Sequence, residues 1–377
     1  MKMSINCDIV FDNEAKSYLS GTPVTAQINL TFNAATKCRC VYVKFIGESN
    51  VKWTKRRHRK GRRGRKEEIT TDFTAHEDYF SINRDVIRSD DGTEMEMEPK
   101  RYTNTVTCTL PHNLPSSFSG PYGAVRYSVH VFADIGGKVE EICESEFKVW
   151  TILNLNDFPH LMQPKTLEMT RNFCCWIWRN GPLNISAYIP CTGFTPNLQI
   201  PITIECENGS NVDLSAVQVY IKQIATFHCN DPKRETRVDE QKLCEAKLDG
   251  VPKHTTKTIQ GVLVIPDVKP TNLTSCACIE IKHVLKMKGV TTGANANLFN
   301  EVPVVLGTVP FHNFNYNALP ATTTSLPSTS VGIEIGTVAG DANANTNEKQ
   351  QGPPPSYADV VNTASSVEIG WNANMSS

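Results

Sequence analysis

No stretch of this 377-residue chain approaches the roughly 18 uninterrupted apolar residues of a membrane-spanning helix, and long helical periodicity is equally scarce. The opening residues, MKMSINCDIVFDNEAK, hold no apolar core of signal-peptide length. Also missing are a Gly-rich phosphate loop, a G-x-S-x-G elbow, an H-E-x-x-H pair and any C-x-x-C, so the commonest sequence marks of nucleotide, hydrolase and zinc chemistry are absent. The 13 cysteines are odd in number and irregularly spaced, in a chain too long to need a disulfide scaffold, so free thiols are expected. Cys38-x-Cys40 and Cys276-x-Cys278 read as pairs of core thiols on one strand face, since neither has the ligand spacing of structural zinc. The 9 histidines have no carboxylate at motif spacing and suggest no acid–base centre. The expectation is a soluble, cytoplasmic protein that is not an enzyme and has no cofactor or metal.

What the chain does have is period-2 alternation. It runs through Val24, Ala26, Ile28, Leu30 and Phe32, through Val41, Val43 and Phe45, and through Val125, Tyr127, Val129 and Val131. After residue 180 it returns at Ile200, Ile202, Ile204 and Cys206, at Val217, Val219 and Ile221, at Val262 and Val264, and at Ile279 and Ile281. Side chains two apart share a strand face, so these are half-buried strands, and both halves read as antiparallel β-sandwiches. Ser20-Gly21, Gly136-Gly137, Asn208-Gly209 and Asp249-Gly250 are placed to turn between strands. At most one short helix is expected, around Arg84 to Arg88 or in the polar stretch that follows it. The interrupted stretch WTILNLNDFPHLMQPK, 150–165, suits a connector. The expected organisation is an all-β chain: an N-terminal domain over 1–160, a C-terminal domain over 161–316, and a disordered tail over 317–377, too poor in large apolar residues to offset its ordering entropy.

Two segments carry partner chemistry. In QGPPPSYADVV, 351–361, consecutive prolines preset a polyproline II conformation, and Pro354, Pro355 and Tyr357 form a Pro-Pro-x-Tyr sequence of the kind that docks the aromatic groove of a WW domain. The second is KRRHRKGRRGRK, with Lys55, Arg56, Arg57, Arg59, Lys60, Arg62, Arg63, Arg65 and Lys66; its nine positive charges leave −10 for the remainder of a chain whose net charge is −1. It falls between a strand ending near Trp53 and another beginning near Thr71, which predicts a projecting hairpin loop. Anionic lipid headgroups, phosphorylated or acidic segments of a protein, a nuclear-import receptor, or solvent alone all suit such a run. Nucleic acid is not expected, because no aromatic residues interleave the charges and no nucleic-acid-binding signature surrounds them.

Five segments in order resemble the α-arrestins, the arrestin domain-containing proteins: SGTPVTAQINL (20–30), GPYGAVRYSVHVFAD (120–134), IPCTGFTPNLQIPITIECENGS (189–210), VPVVLGTVP (302–310) with its Gly307, Thr308, Val309 and Pro310, and the Pro-Pro-x-Tyr itself. The resemblance implies two tandem immunoglobulin-like sandwiches. It further implies a trafficking adaptor for endocytosis and protein transport, cytoplasmic and recruited peripherally to plasma membrane and endosomes. Such an adaptor joins membrane receptors or transporters as cargo to a WW-domain HECT ubiquitin ligase, bound through Pro354, Pro355 and Tyr357. The competing expectation is a membrane-associated sorting scaffold of the retromer arrestin-like kind, acting without the ligase. The chain has one Pro-Pro-x-Tyr where many α-arrestins have two.

Overall fold

The computed structural model describes residues 5–60, 66–89, 92–173, 181–268, 272–293 and 297–316, all within one compact unit. The first half contributes β1 (Ile5–Phe11), β2 (Ser17–Leu19), β3 (Pro23–Phe32), β4 (Thr36–Lys60), β5 (Lys66–Arg88), β6 (Met95–Met97), β7 (Arg101–Thr109), β8 (Phe118–Gly120), β9 (Gly123–Ile135) and β10 (Lys138–Trp150). The second contributes β11 (Lys165–Arg171), β12 (Leu183–Ile189), β13 (Gly193–Phe194), β14 (Gln199–Asn208), β15 (Leu214–Cys229), β16 (Glu235–Val251), β17 (Thr255–Val264), β18 (Ile279–Thr291) and β19 (Leu298–Leu306). In the first half a sheet ordered β1-β3-β7 faces one ordered β2-β10-β9-β4-β5, with β6 paired to β4 and β8 to β9. In the second, β11-β12-β14-β17 faces β13-β19-β18-β15-β16.

Alternation decides which faces meet. Val24, Ala26, Ile28, Leu30 and Phe32 are almost fully buried, as are Val125, Tyr127, Val129 and Val131 opposite them. One strand is phased the other way: in β17 the buried residues are Ile259 and Leu263, while Val262 and Val264 point outward. The run GVLV is apolar on both faces, so only its pairing with β14 fixes the phase.

Four other expectations are corrected. Arg84 to Arg88 form the end of β5, where pairing with Cys40 to Val43 overrides local composition; the helical segments among the described residues are two 3-10 turns in the connector, Leu155–Asp157 and Pro159–Met162. Asp249-Gly250 does not turn but lies inside β16, where Gly250 passes so close to β15 that a Cβ would strike the Leu214 carbonyl. Cys7 and Cys143 are joined in a disulfide between the two sheets of the first half, with 5.9 Å between Cα atoms, whereas the nine other cysteines among the described residues are free. A separation of 136 residues hid that pair from any reading of spacing. Cys276 and Cys278 precede β18 rather than lying on it; the Cys276 sulfur accepts from the Ile279 N–H at 3.3 Å.

The two halves share a core. Ala225, Phe227, Cys229, Leu273, Cys278 and Ile279 of the second half belong to the buried cluster of the first. The connector adds a lock: Leu155 is fully buried, the Leu153 N–H donates to Thr308 Oγ1 at 2.8 Å, and the Thr308 N–H donates to the Leu153 carbonyl at 2.9 Å. The segment Gly307 to Pro310 is therefore the strip on which the connector is sewn back.

Candidate functional site

The basic run is less a loop than a ribbon. β4 continues to Lys60 and β5 begins at Lys66, so the strands expected to stop near Trp53 and Thr71 extend through most of the run, held by pairs such as Arg57↔Ile69, Arg59↔Glu67 and Lys60↔Lys66. β4 loses its other neighbour, β9, after Val51, and beyond that point only two strands continue. Arg62, Arg63 and Arg65 lie outside the described residues, as do Pro354, Pro355 and Tyr357.

The ribbon has two chemically different faces. On one, Lys52, Thr54 and Arg56 meet acids: the Arg56 guanidinium is 3.6 Å from Glu68, Lys52 is 3.7 Å from Asp72, and Thr54 Oγ1 donates to Asp72 at 2.7 Å. On the other lie Trp53, Lys55 and Arg57, paired across the ribbon with Phe73, Thr71 and Ile69. Trp53 stacks on Phe73 at 5.8 Å. Lys55 forms an ion pair with Glu235 of β16, whose carboxyl the ammonium holds below the usual range. Lys55 is thus engaged across the two halves of the body, while Arg57 is exposed with no ion pair among the described residues.

The second half meets this face through the turn joining β15 to β16. The Thr74 N–H donates to the Asp231 carbonyl at 2.9 Å, and the Asn230 and Asp231 N–H groups donate to the Thr74 carbonyl at 3.2 Å. Behind the turn Phe227 packs edge-on against Tyr122 at 5.6 Å, and Arg237 lies over the same tyrosine ring at 5.7 Å. Further along, the Ala277 N–H donates to Glu77 Oε2 at 2.9 Å and Ser275 Oγ to the Asn113 carbonyl at 2.6 Å. A cleft of about 80 Å3 remains between ribbon and turn, lined by Lys55, Arg57, Thr71, Phe73, Pro232 and Lys233.

Lys233 was not singled out in the sequence, because nothing along the chain signals that DPKRE folds against a ribbon some 170 residues earlier. Two histidines also acquire carboxylate neighbours that motif spacing missed: His130 Nδ1 lies 2.7 Å from Glu141, and His76 Nε2 lies 3.0 Å from Asp78. Both pairs sit on the outer face of a sheet, each ring also hydrogen-bonded to a neighbouring polar side chain, Ser128 or Asn50. No described helix is long and apolar enough to cross a membrane.

Comparison with known proteins gives the same architecture a lineage. Residues 7–156 match the family model of the arrestin (or S-antigen) N-terminal domain, and residues 179–311 match that of its C-terminal domain. Human (Homo sapiens) arrestin domain-containing protein 4 is 24% identical over 358 residues, covering 94% of this chain and 80% of its own length. Thioredoxin-interacting protein of Mus musculus is 23% identical over 302 residues, covering 80% of this chain and 72% of its own. With both arrestin domains present in order and relatives matched across nearly the whole chain, the protein belongs to the α-arrestin family.

Proposed function

We propose that this α-arrestin is a non-catalytic trafficking adaptor that links membrane-protein cargo, receptors or transporters, to WW-domain HECT-type ubiquitin ligases for ubiquitination and endocytosis. The observation that carries the reading is a Pro-Pro-x-Tyr sequence on the same chain as tandem arrestin sandwiches. In this reading the body over 1–160 and 161–316 recognises cargo, and the tail over 317–377 recruits the ligase through Pro354, Pro355 and Tyr357. The protein works in the cytoplasm and is recruited peripherally to plasma membrane and endosomes. Its basic run, Lys55 to Lys66, favours anionic phospholipid, since each Lys or Arg near such a leaflet contributes about 1 kcal/mol and local density outweighs dispersed acids beyond a Debye length of about 8 Å.

Proximity labelling in cells tests the reading. HECT ligases and ubiquitinated membrane proteins should be enriched around the wild-type chain, and the ligases should disappear with Tyr357→Ala. Ligase labelling unchanged by Tyr357→Ala would sink the tail's role. Cargo turnover that survives deletion of 317–377 would favour the sorting scaffold that works without a ligase.

A further inference from the structure

The cleft between ribbon and turn gathers more cations than acids: Glu235 is paired with Lys55 and also feels the charge of Lys233. Lys55, Arg57 and Lys233 line it. Arg57 and Lys233 are both exposed and neither has an ion pair among the described residues. Like charges drawn to one small concavity repel unless an anion sits between them, and a low-dielectric wall strengthens the field they present. Phe73 and Pro232 supply that wall, and Thr71 adds a hydroxyl donor.

The size and surroundings of the cleft narrow the ligand. About 80 Å3 admits one compact anionic group rather than a polypeptide segment. Next to Arg57, on the same ribbon face, Ile69 is 42% exposed, an aliphatic side chain with no core to join. Cations that reach a phosphate beside an apolar side chain free to enter the acyl boundary make the pairing that suits a bilayer surface. We infer that the cleft formed by Arg57, Thr71 and Lys233 seats the phosphomonoester of a membrane lipid headgroup, with Arg57 able to grip two phosphate oxygens and Lys233 acting as a point charge. The inference rests on the reading that the basic run meets anionic membrane. It goes beyond that reading by making recognition bipartite, with one cation from each half of the body, and selective for headgroup chemistry rather than for charge alone.

The test is flotation of the full chain with phosphatidylcholine vesicles containing phosphatidic acid, set against vesicles containing phosphatidylserine at equal surface charge. Phosphatidic acid should be preferred several-fold. Arg57→Ala and Lys233→Ala should each weaken binding to it about fivefold and erase the preference, while Arg56→Ala, whose guanidinium already faces Glu68, should leave the preference intact. Equal binding to both vesicles, lost with Arg62→Ala and Arg63→Ala but not with Arg57→Ala or Lys233→Ala, would overturn the cleft and leave the membrane reading standing. No binding to either vesicle would overturn both. Capture of a phosphoserine peptide through Arg57 and Lys233, with vesicles ignored, would replace the lipid by a protein ligand and also overturn the inference.

Discussion

Removing the Phe227 ring should loosen both halves of the body at once. This side chain belongs to β15 in the second half, yet it is fully buried in the cluster that forms the core of the first. Its ring stands 5.6 Å from Tyr122 at an interplanar angle of 82°, lies 6.2 Å from Phe118, and covers Gly120 so closely that a Cβ there would come within 2.7 Å of the Phe227 ring. At about 25 cal/mol per Å2, an aromatic side chain hiding roughly 150–250 Å2 contributes about 4–6 kcal/mol. Phe227→Ala keeps the β-carbon's share and should cost about 3–5 kcal/mol. Urea denaturation of the full chain reads this as a lower midpoint at unchanged slope, and Trp53, 6.1 Å from Tyr122, places a fluorophore at the seam. Hydrogen exchange should show faster opening of β8 and β9 as well as β15. Gly120→Ala should cost about 1–3 kcal/mol by overpacking, and most of that cost should vanish in the Phe227→Ala background because the two act on one contact. A Phe227→Ala loss below about 1 kcal/mol, or protection unchanged in β8 and β9, would refute the shared core.

Two further outcomes follow from single side chains. Burial lowers the pKa of His283 on β18 from 6.5 to about 4, so the folded protein keeps it neutral where the unfolded chain takes up a proton. Stability should therefore be flat above about pH 6.5 and fall as pH drops from there toward 4, by about 3 kcal/mol from this group; His283→Gln should remove that part of the slope in pH-dependent melting, and an unchanged slope would show the ring is hydrated. Tyr127, fully buried, donates its hydroxyl to the Pro115 carbonyl at 2.5 Å. Tyr127→Phe should lower unfolding free energy by about 1–3 kcal/mol in chemical denaturation by leaving that carbonyl unpaired, and a neutral result would mean that the carbonyl finds water.

Much of the fold was legible because a two-residue period is a local signal. Ile28 and Val129 announce their inward faces without any knowledge of their partners, and the two-sandwich plan follows from many such strands. Phase failed at Val262 and Val264, where both faces of the strand are apolar and only pairing with β14 chooses between them. Contacts made across the halves were not legible at all. Nothing near Lys55 names Glu235, and nothing near Gly120 names Phe227, because these meetings depend on how two sandwiches are sewn together. The basic run shows both sides of this: its charge stood out in the sequence, but strand pairing divides its described residues into a face balanced by Glu68 and Asp72 and a face turned to the second half.

The central claim, an adaptor whose tail recruits a ligase, is tested most directly by calorimetric titration of the full chain with a WW-domain array from a HECT ligase. The account predicts saturable binding with one site per chain for the wild type, and loss of that binding for Tyr357→Ala with the body still folded. Equal affinity for both chains, or no binding by the wild type, would contradict it.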